Sequence, residues 1–145
     1  MPPQIDEMTM ADYDSVIALL GRSPGLALRA ADSREATMRY LERNPGLSFV
    51  ARCASRVVGC VMCGHDGRRG YLQHLAVDSS YQRRGIATAL VERCLAELRR
   101  LGVDKAHIDV LVAHGPAHQY WTGRGWKRRD DIVRYSYTSS TDTNA

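Results

Sequence analysis

The residues best suited to chemistry lie between Leu75 and Ala87, where the sequence reads LAVDSSYQRRGIA. An apolar segment ends there in a polar turn, and a long amphipathic helix is predicted to follow. The first turn of a helix carries unpaired N–H donors and a partial positive charge, so it attracts phosphate. Gly85 and the small Ala87 allow a ligand to approach the backbone closely. With two arginines beside the same turn, the segment predicts a binding site for a pyrophosphate.

This segment resembles a known family signature. The run QRRGIA, from Gln82 to Ala87, fits the Q/R-x-x-G-x-G/A signature of the GNAT superfamily of N-acetyltransferases. Three other segments are similar to family motifs: Val57 to Gly59 resembles V-x-G, Leu75 to Asp78 resembles the L-x-V-x-P lead-in with Ser79 where proline is frequent, and Tyr120 to Trp126 resembles L-Y-E-x-x-G-F. The resemblance extends from about Ile5 to Tyr137.

The resemblance implies a co-substrate, acetyl-CoA, and a binding residue set. Backbone donors on the strand formed by Leu75, Ala76 and Val77 are expected to hold the thioester and the pantetheine arm, with the Val77 N–H on the thioester oxygen. One such donor is worth about 3 kcal/mol in the transition state. The pyrophosphate and the rest of the coenzyme are expected to contact Gln82, Arg83, Arg84, Gly85, Ile86, Ala87, the hydroxyl of Thr88, and His114, which stands where the family often has asparagine.

The general base has two candidates. Asp109 falls on a predicted strand, at a position where the resemblance implies a catalytic glutamate in some family members. Because aspartate is one methylene shorter, we expect it to act as a base through water. Histidine titrates near neutral pH, which makes His74 the other candidate. Strand alternation places His74 opposite Gln73 and Leu75, facing the helices, and this favours a packed or surface histidine.

The general acid is not at its usual place. Counting back from Gly125, the tyrosine position of the family falls on Trp121, which cannot donate a phenolic proton. The adjacent Tyr120 is therefore the predicted donor to the leaving thiolate, with water or the product ammonium as alternatives. The substitutions at Trp121 and His114 keep open a second interpretation, a GNAT-like module that binds an acyl-CoA without turnover.

The predicted elements alternate between helices and strands. They are a strand from Gln4 to Thr9, a helix through Leu20, a helix from Ser33 to Arg43, a hairpin of 48–53 and 56–63 turning at Ala54-Ser55, a strand from Tyr71 to Val77, a helix through Leu101 ended by Gly102, a strand from Lys105 to Val112, a helix from Pro116 to Gly123, and a last strand from Ile132 to Tyr137 that follows Trp126. This mixed order favours the α/β or α+β class. The resemblance implies a central, mostly antiparallel mixed sheet flanked by helices, in which two strands splay apart to admit acetyl-CoA.

Length, composition and charge indicate how many domains, which compartment and which partners to expect. The 145 residues predict one domain over 1–138 and a disordered polar tail over 139–145. No apolar run approaches the ~20 residues that span a bilayer, and no secretory signal is visible, so we expect a cytoplasmic protein without a membrane partner. The net charge of +4 suits an anionic coenzyme. The basic pairs are dispersed, so nucleic acid is not an expected partner.

The cysteines do not predict a metal site. Cys60 and Cys63 form a C-x-x-C, but residues three apart on a strand face opposite sides. No second pair with metal-ligand spacing is present in the sequence. We therefore expect buried free thiols and no metal.

The acceptor is expected to be a small-molecule amine or an amine of a peptide or protein, as in the family, which also often forms homodimers. Asp32 and Glu35 could contact a cationic amine, although solvated helix charges are the commoner use of such residues.

Overall fold

A computed structural model describes residues 2–145 of the chain. The strands are β1 (Gln4–Glu7), β2 (Phe49–Cys53), β3 (Arg56–His65), β4 (Gly70–Val77) and β5 (Ala106–Ile108), and the helices are α1 (Tyr13–Gly21), α2 (Arg34–Arg43), α3 (Ile86–Arg100) and α4 (Gly115–Gly123). The chain divides into two compact units. The first ends at Ile108 and contains all five strands with α1, α2 and α3. The second, Asp109–Ala145, contains α4.

The first unit is built on one mixed sheet with the strand order β1-β2-β3-β4-β5. Strands β1 to β4 pair antiparallel, and β5 pairs parallel to β4. The predicted mostly antiparallel sheet is therefore confirmed. The β2–β3 hairpin turns at Ala54 and Ser55, with φ of 49° and 70°. Two left-handed residues match the twist of the flanking strands, as in type I′ turns.

Helices α1 and α3 cover opposite faces of the sheet. Cys60 and Met62 of β3 belong to a buried cluster with Leu19 of α1. Gly59 directly precedes Cys60 on the strand and therefore faces the other side, where a Cβ added to it would come 3.1 Å from the Ile86 side chain of α3. Because successive strand residues point to opposite faces, the sheet separates the two helices.

Helix boundaries follow the sequence signals closely. The Ser33 hydroxyl accepts the Ala36 N–H at 3.1 Å and caps α2, as predicted. Most of the predicted apolar face of α3 is buried, including Leu90, whereas its last member, Leu101, is exposed. Gly102 follows the helix with a φ of 81°. Glycine adopts this left-handed conformation without a Cβ clash, which explains why the helix ends there. No described helix is both long and apolar enough to cross a membrane.

The cysteines occupy both faces, as expected. The Cys60 thiol donates to the His74 carbonyl at 3.4 Å, and the Cys94 thiol of α3 donates to the Leu47 carbonyl at 3.4 Å and adjoins Cys63. All four cysteines are free. Residues 2–145 contain no group of three side chains placed to hold a metal ion.

Two strand predictions are wrong. Strand β5 ends at Ile108, so Asp109 lies just beyond it rather than within a strand to Val112. The expected last strand, Ile132 to Tyr137, does not form, and Val133, Tyr135 and Tyr137 are exposed. Local alternation predicts a strand only where a partner strand completes the hydrogen-bond ladder, and residues 126–140 have none in the described structure.

Candidate functional site

Strand β4 carries a bulge at its centre. Ala76 pairs with Cys60 and Gln73 with Met62, so His74 and Leu75 together oppose the single residue Val61. His74 has a φ of 53°, which is uncommon for a residue other than glycine. A bulge bends the strand and changes the direction of its side chains. The ladder is therefore interrupted next to the predicted thioester strand.

The C-terminal half of β4 has an open edge. Strand β5 pairs only with Gly70 to Leu72, so within the described residues β4 is paired only with β3 beyond that point. This is the splay that the resemblance implies. The backbone groups of this half that point away from β3 have no strand partner among the described residues.

The Val77 N–H points toward this open edge. Val77 lies opposite Gly59, and the Asp78 N–H donates to the Val58 carbonyl at 2.8 Å. In an antiparallel ladder this pattern makes Val77 and Gly59 a non-hydrogen-bonded pair, whose N–H and C=O groups point outward. The Gln82 side chain donates to the Val77 carbonyl at 3.3 Å. Ala76, one residue earlier, directs its N–H toward β3 by the same alternation.

The turn after β4 is anchored by Asp78, which the family motif does not single out. Its Oδ1 accepts the Ser80 N–H at 2.9 Å, and its Oδ2 lies 2.9 Å from Arg22 and 3.2 Å from Arg56. The side chain is 6% exposed. The Arg22 guanidinium lowers the pKa of Asp78, as does the hydrogen bond from Ser80. An aspartate that directly precedes Ser-Ser is a turn signal that could have identified it.

Helix α3 begins without a side-chain cap. Its N-cap residue, Gly85, has a φ of 79°, and Arg83 before it has a φ of 63°. The Ala89 N–H donates to the Gly85 carbonyl at 3.0 Å and closes the first helical turn. The N–H groups of Ile86 and Ala87 precede that bond and lack an acceptor inside the helix. They form the donor set that an anion requires.

The side chains of the turn add positive charge. Gln82, Arg83 and Arg84 are exposed. The Arg84 guanidinium carbon lies 5.0 Å from the centre of the Tyr81 ring, a cation–π contact that orients it. Thr88 lies half-buried in the first turn of α3. The predicted pyrophosphate residues are thus contiguous around one helix start.

His74 faces the segment between α1 and α2. Its Nε2 lies 2.6 Å from Oδ1 of Asp32, in a 3-10 turn that spans Ala30–Asp32. The two side chains are 18% and 12% exposed. The expectation that His74 faces the helical side is confirmed, but the histidine is paired with a carboxylate rather than simply packed.

Two predicted site residues of the second unit, Asp109 and His114, make hydrogen bonds within that unit. Both carboxylate oxygens of Asp109 lie near Nη2 of Arg134, at 2.9 and 2.8 Å, and the Asp109 side chain is 75% exposed. His114 is the N-cap residue of α4, and its N–H donates to the Leu111 carbonyl at 3.0 Å. These residues belong to one compact unit with Tyr120 and Trp121.

Trp121 is a core residue of that unit. Its ring is buried and lies 4.5 Å from the Trp126 ring, nearly edge to face. Tyr120 is half-buried, with its ring 5.1 Å from that of Trp121. The side chain at the family's tyrosine position is thus committed to packing, and the neighbouring phenol points in another direction.

Comparisons with known proteins agree with this architecture. Residues 13–126 match the model of the acetyltransferase (GNAT) family. The chain is 38% identical over 100 residues to an acetyltransferase of Sodalis glossinidius, covering 68% of this chain and 69% of that one. It is 32% identical over 112 residues to N-alpha-acetyltransferase 30 of Xenopus laevis, covering 73% of this chain but only 41% of that protein's length. A solved structure of similar fold is the PaiA N-acetyltransferase of Thermoplasma acidophilum in complex with coenzyme A, with a TM-score of 0.81, 16% identity, and coverage of 91% and 94%.

Proposed function

The chain belongs to the GNAT family of acetyltransferases, and on this basis we propose that it transfers an acetyl group from acetyl-CoA to a primary amine. One observation carries the proposal. The Val77 N–H points outward at the open edge of β4. The short connection that follows, residues 78–85, joins this edge to the start of α3, which has no side-chain cap. A thioester on the strand and a diphosphate at the helix start fit this arrangement.

The residues present suit acetyl-CoA. We propose that Leu75, Ala76 and Val77 form the edge along which the pantetheine arm lies. At the helix start, the diphosphate is proposed to contact the main chain from Gln82 to Ala87, with Thr88 and His114 as further contacts. Gly85 adopts a left-handed conformation at the N-cap of α3, with a φ of 79°, and Arg84 beside it supplies positive charge. Phosphate at a helix start is stabilised by both the N–H donors and the helix dipole.

The proposed reaction is a direct attack of the amine on the thioester in a ternary complex. Holding both substrates in one site lowers the entropic part of the barrier. The Val77 N–H stabilises the negative oxygen that develops on the thioester carbon. Tyr120 is proposed as the proton donor to the leaving thiolate. The base is either Asp109, whose carboxylate holds Arg134, or His74, for which the next subsection argues.

The acceptor is proposed to be an amine of a small molecule or the amino group of a peptide. The relative named N-alpha-acetyltransferase 30 supports the second class, although this chain spans less than half of its length. The half-buried Asp32 offers a negative charge on the side of the sheet that α1 covers. A cationic ammonium is the form in which such an amine arrives at neutral pH.

Two measurements test the proposal. Calorimetric titration should show that the purified chain binds acetyl-CoA, and a thiol-reactive dye should then report free coenzyme A when amines are added. The amine panel should contain a polyamine, an aminoglycoside, free amino acids and short peptides with free α-amino groups. Release with at least one amine supports a transferase. Acetyl-CoA affinity without release from any amine would instead support the non-catalytic binding module, which the buried Trp121 favours.

A further inference from the structure

We propose that His74, oriented by Asp32, is the general base that removes a proton from the acceptor amine. This inference rests on the proposed acetyl transfer. It begins from the 2.6 Å contact between Nε2 of His74 and Oδ1 of Asp32, two residues that lie far apart in the sequence. Both side chains are largely withdrawn from solvent, so this contact is shorter and better shielded than the exposed ion pairs of the surface.

The carboxylate of Asp32 is held in a fixed orientation. Its Oδ2 accepts the Arg29 N–H at 2.8 Å, and the Asp32 N–H donates back to the Arg29 carbonyl at 2.9 Å. The Tyr13 hydroxyl donates to the Asp32 carbonyl at 2.5 Å. Three hydrogen bonds therefore fix the residue, and Oδ1 remains directed at the imidazole.

The bulge of β4 directs His74 to this carboxylate. Its φ of 53° places it in the left-handed region, which costs roughly 1–2 kcal/mol for a residue with a side chain. The Cys60 thiol holds the His74 carbonyl at 3.4 Å in this conformation. Backbone strain of this kind persists only where the surroundings impose it, and it concentrates at functional sites.

The hydrogen bond to Asp32 determines which ring nitrogen is basic. A carboxylate only accepts, so Nε2 carries the hydrogen in the neutral ring and the lone pair lies on Nδ1. Among residues 2–145, no group is hydrogen-bonded to Nδ1. A base oriented by a carboxylate through its other nitrogen is an arrangement that recurs in acyl-transfer enzymes.

The imidazole lies close to the proposed thioester. His74 directly precedes Leu75, and Val77 follows three residues later on the same strand. A fully extended strand rises about 3.3 Å per residue, so the two Cα atoms lie at most about 10 Å apart, a distance that a side chain and an amine together can span. Asp109 is a weaker candidate because both of its carboxylate oxygens already contact Arg134.

The proton balance is simple. The acceptor arrives as an ammonium, and Nδ1 removes one proton. The amine nitrogen then forms a bond to the thioester carbon, and the carbon–sulfur bond breaks with its electron pair leaving on sulfur. Tyr120 gives its proton to the thiolate and is restored by the second nitrogen proton, and the imidazolium releases its proton to water. The titratable side chains that contact the His74–Asp32 pair are Tyr13, through the Asp32 carbonyl, and Cys60, through the His74 carbonyl. Arg34 lies behind them, over the Tyr13 ring and in contact with Asp14.

The principal test is His74→Gln. The glutamine amide can still donate to Asp32, whereas it offers no base, so the loop contact survives and the proton transfer does not. General bases contribute about 100-fold or more to rate. We expect kcat to fall by about that factor for a short peptide with a free α-amino group or for spermidine, with acetyl-CoA affinity unchanged. Activity should partly recover at high pH, where the amine is already neutral. His65→Gln, at the last residue of β3, is the matched control and should retain full kcat.

Two further measurements separate a base from a structural contact. Nitrogen-15 spectra of the wild-type histidines should show His74 as the Nε2–H tautomer, and Asp32→Asn should lower kcat while acetyl-CoA still binds. Unchanged kcat in His74→Gln, a fall in acetyl-CoA affinity alone, an Nδ1–H tautomer, or a larger loss in Asp109→Asn would each overturn the assignment. A wild-type chain that binds acetyl-CoA but releases no thiol with any amine would defeat the proposed function instead.

Discussion

Asp78 and Arg22 join the end of α1 to the start of the turn that precedes α3, with a distance of 2.9 Å between Oδ2 and Nη2. The same carboxylate accepts the Ser80 N–H, so one side chain both ties down a distant helix and shapes the turn. The contact holds the turn in the conformation that exposes the donors of α3. We therefore expect stability and the proposed coenzyme binding to be linked at this residue.

Replacing Asp78 with alanine should reduce both the stability of the protein and its affinity for acetyl-CoA. We expect a loss of about 2 kcal/mol in the free energy of unfolding, because a turn cap and a charge-assisted hydrogen bond are removed together. Acetyl-CoA affinity should fall as the turn loosens. Urea denaturation and calorimetry measure the two effects. Asp130→Ala, which removes an exposed ion pair with Arg128, is the control and should change stability by less than about 0.5 kcal/mol.

The Asp78 contact also predicts an acid-dependent loss of stability. Arg22 lowers the pKa of Asp78 in the folded state, so the unfolded chain binds the proton more readily. The contribution is complete above the ordinary aspartate pKa of about 4 and is lost as the pH falls through the lower folded value. Thermal midpoints measured below pH 5 should fall more steeply for the wild type than for Asp78→Ala. Equal slopes would contradict this linkage.

Gly85→Val should remove acetyl-CoA binding while the protein remains folded. A Cβ at this position meets nothing within 4 Å, so the cost comes from its φ of 79° rather than from a clash. Gly67 provides a close match, with a φ of 89° and equally open surroundings in the turn before β4. Gly67→Val should therefore cost similar stability, about 1 kcal/mol, but leave acetyl-CoA affinity intact. Equal affinity in both variants would argue against a diphosphate at Gly85.

Tyr120→Phe tests the predicted proton donor. Removing the hydroxyl should lower kcat by about 10-fold or more if the phenol protonates the leaving thiolate, with the KM for acetyl-CoA unchanged. Tyr135→Phe removes a hydroxyl from a ring that is 93% exposed and serves as the control. Steady-state kinetics with the best acceptor of the panel provide the comparison. If the Tyr120→Phe variant keeps the wild-type kcat, Tyr120 is not the proton donor, and water or the product ammonium must protonate the thiolate.

The thiols should differ sharply in reactivity. Cys60, Cys63 and Cys94 are buried, and burial raises the pKa of Cys60 to about 12. Cys53 is only half-buried. A thiol reagent at pH 8 should therefore modify Cys53 quickly and the others only after unfolding, because the thiolate is the reactive form. Cys53→Ser should abolish the fast phase, and a second fast thiol in that variant would contradict the burial of the core cysteines.

Raised thiol pKa values also make the fold sensitive to alkali. The unfolded chain loses its Cys60 proton near the ordinary value of about 8.5, whereas the folded chain keeps it to about pH 12. The unfolded state therefore binds fewer protons over that range, and stability should fall as the pH rises through it. Cys60→Ala, compared with the wild type by urea denaturation from pH 8 to 10, should reduce the slope.

The sequence by itself determined the features that depend on neighbouring residues. The run QRRGIA, the apolar spacing of α3, the Ser33 cap and the Ala54-Ser55 turn are each encoded within one turn or one heptad. Such signals act through local hydrogen bonds and periodicity, which the chain expresses in any context. They were sufficient to suggest the family, and the resemblance to that family in turn implied the mostly antiparallel sheet.

The tertiary structure decided what depends on residues far apart in the chain. Simple alternation does not foresee a bulge at His74, and no local pattern brings it to Asp32 or brings Arg22 to Asp78. The strand expected at 132–137 did not form for the same reason, since a strand needs a partner that its own sequence does not specify. Register and long-range pairing are properties of the folded assembly, because they arise only when separate segments compete for the same backbone groups and the same buried space.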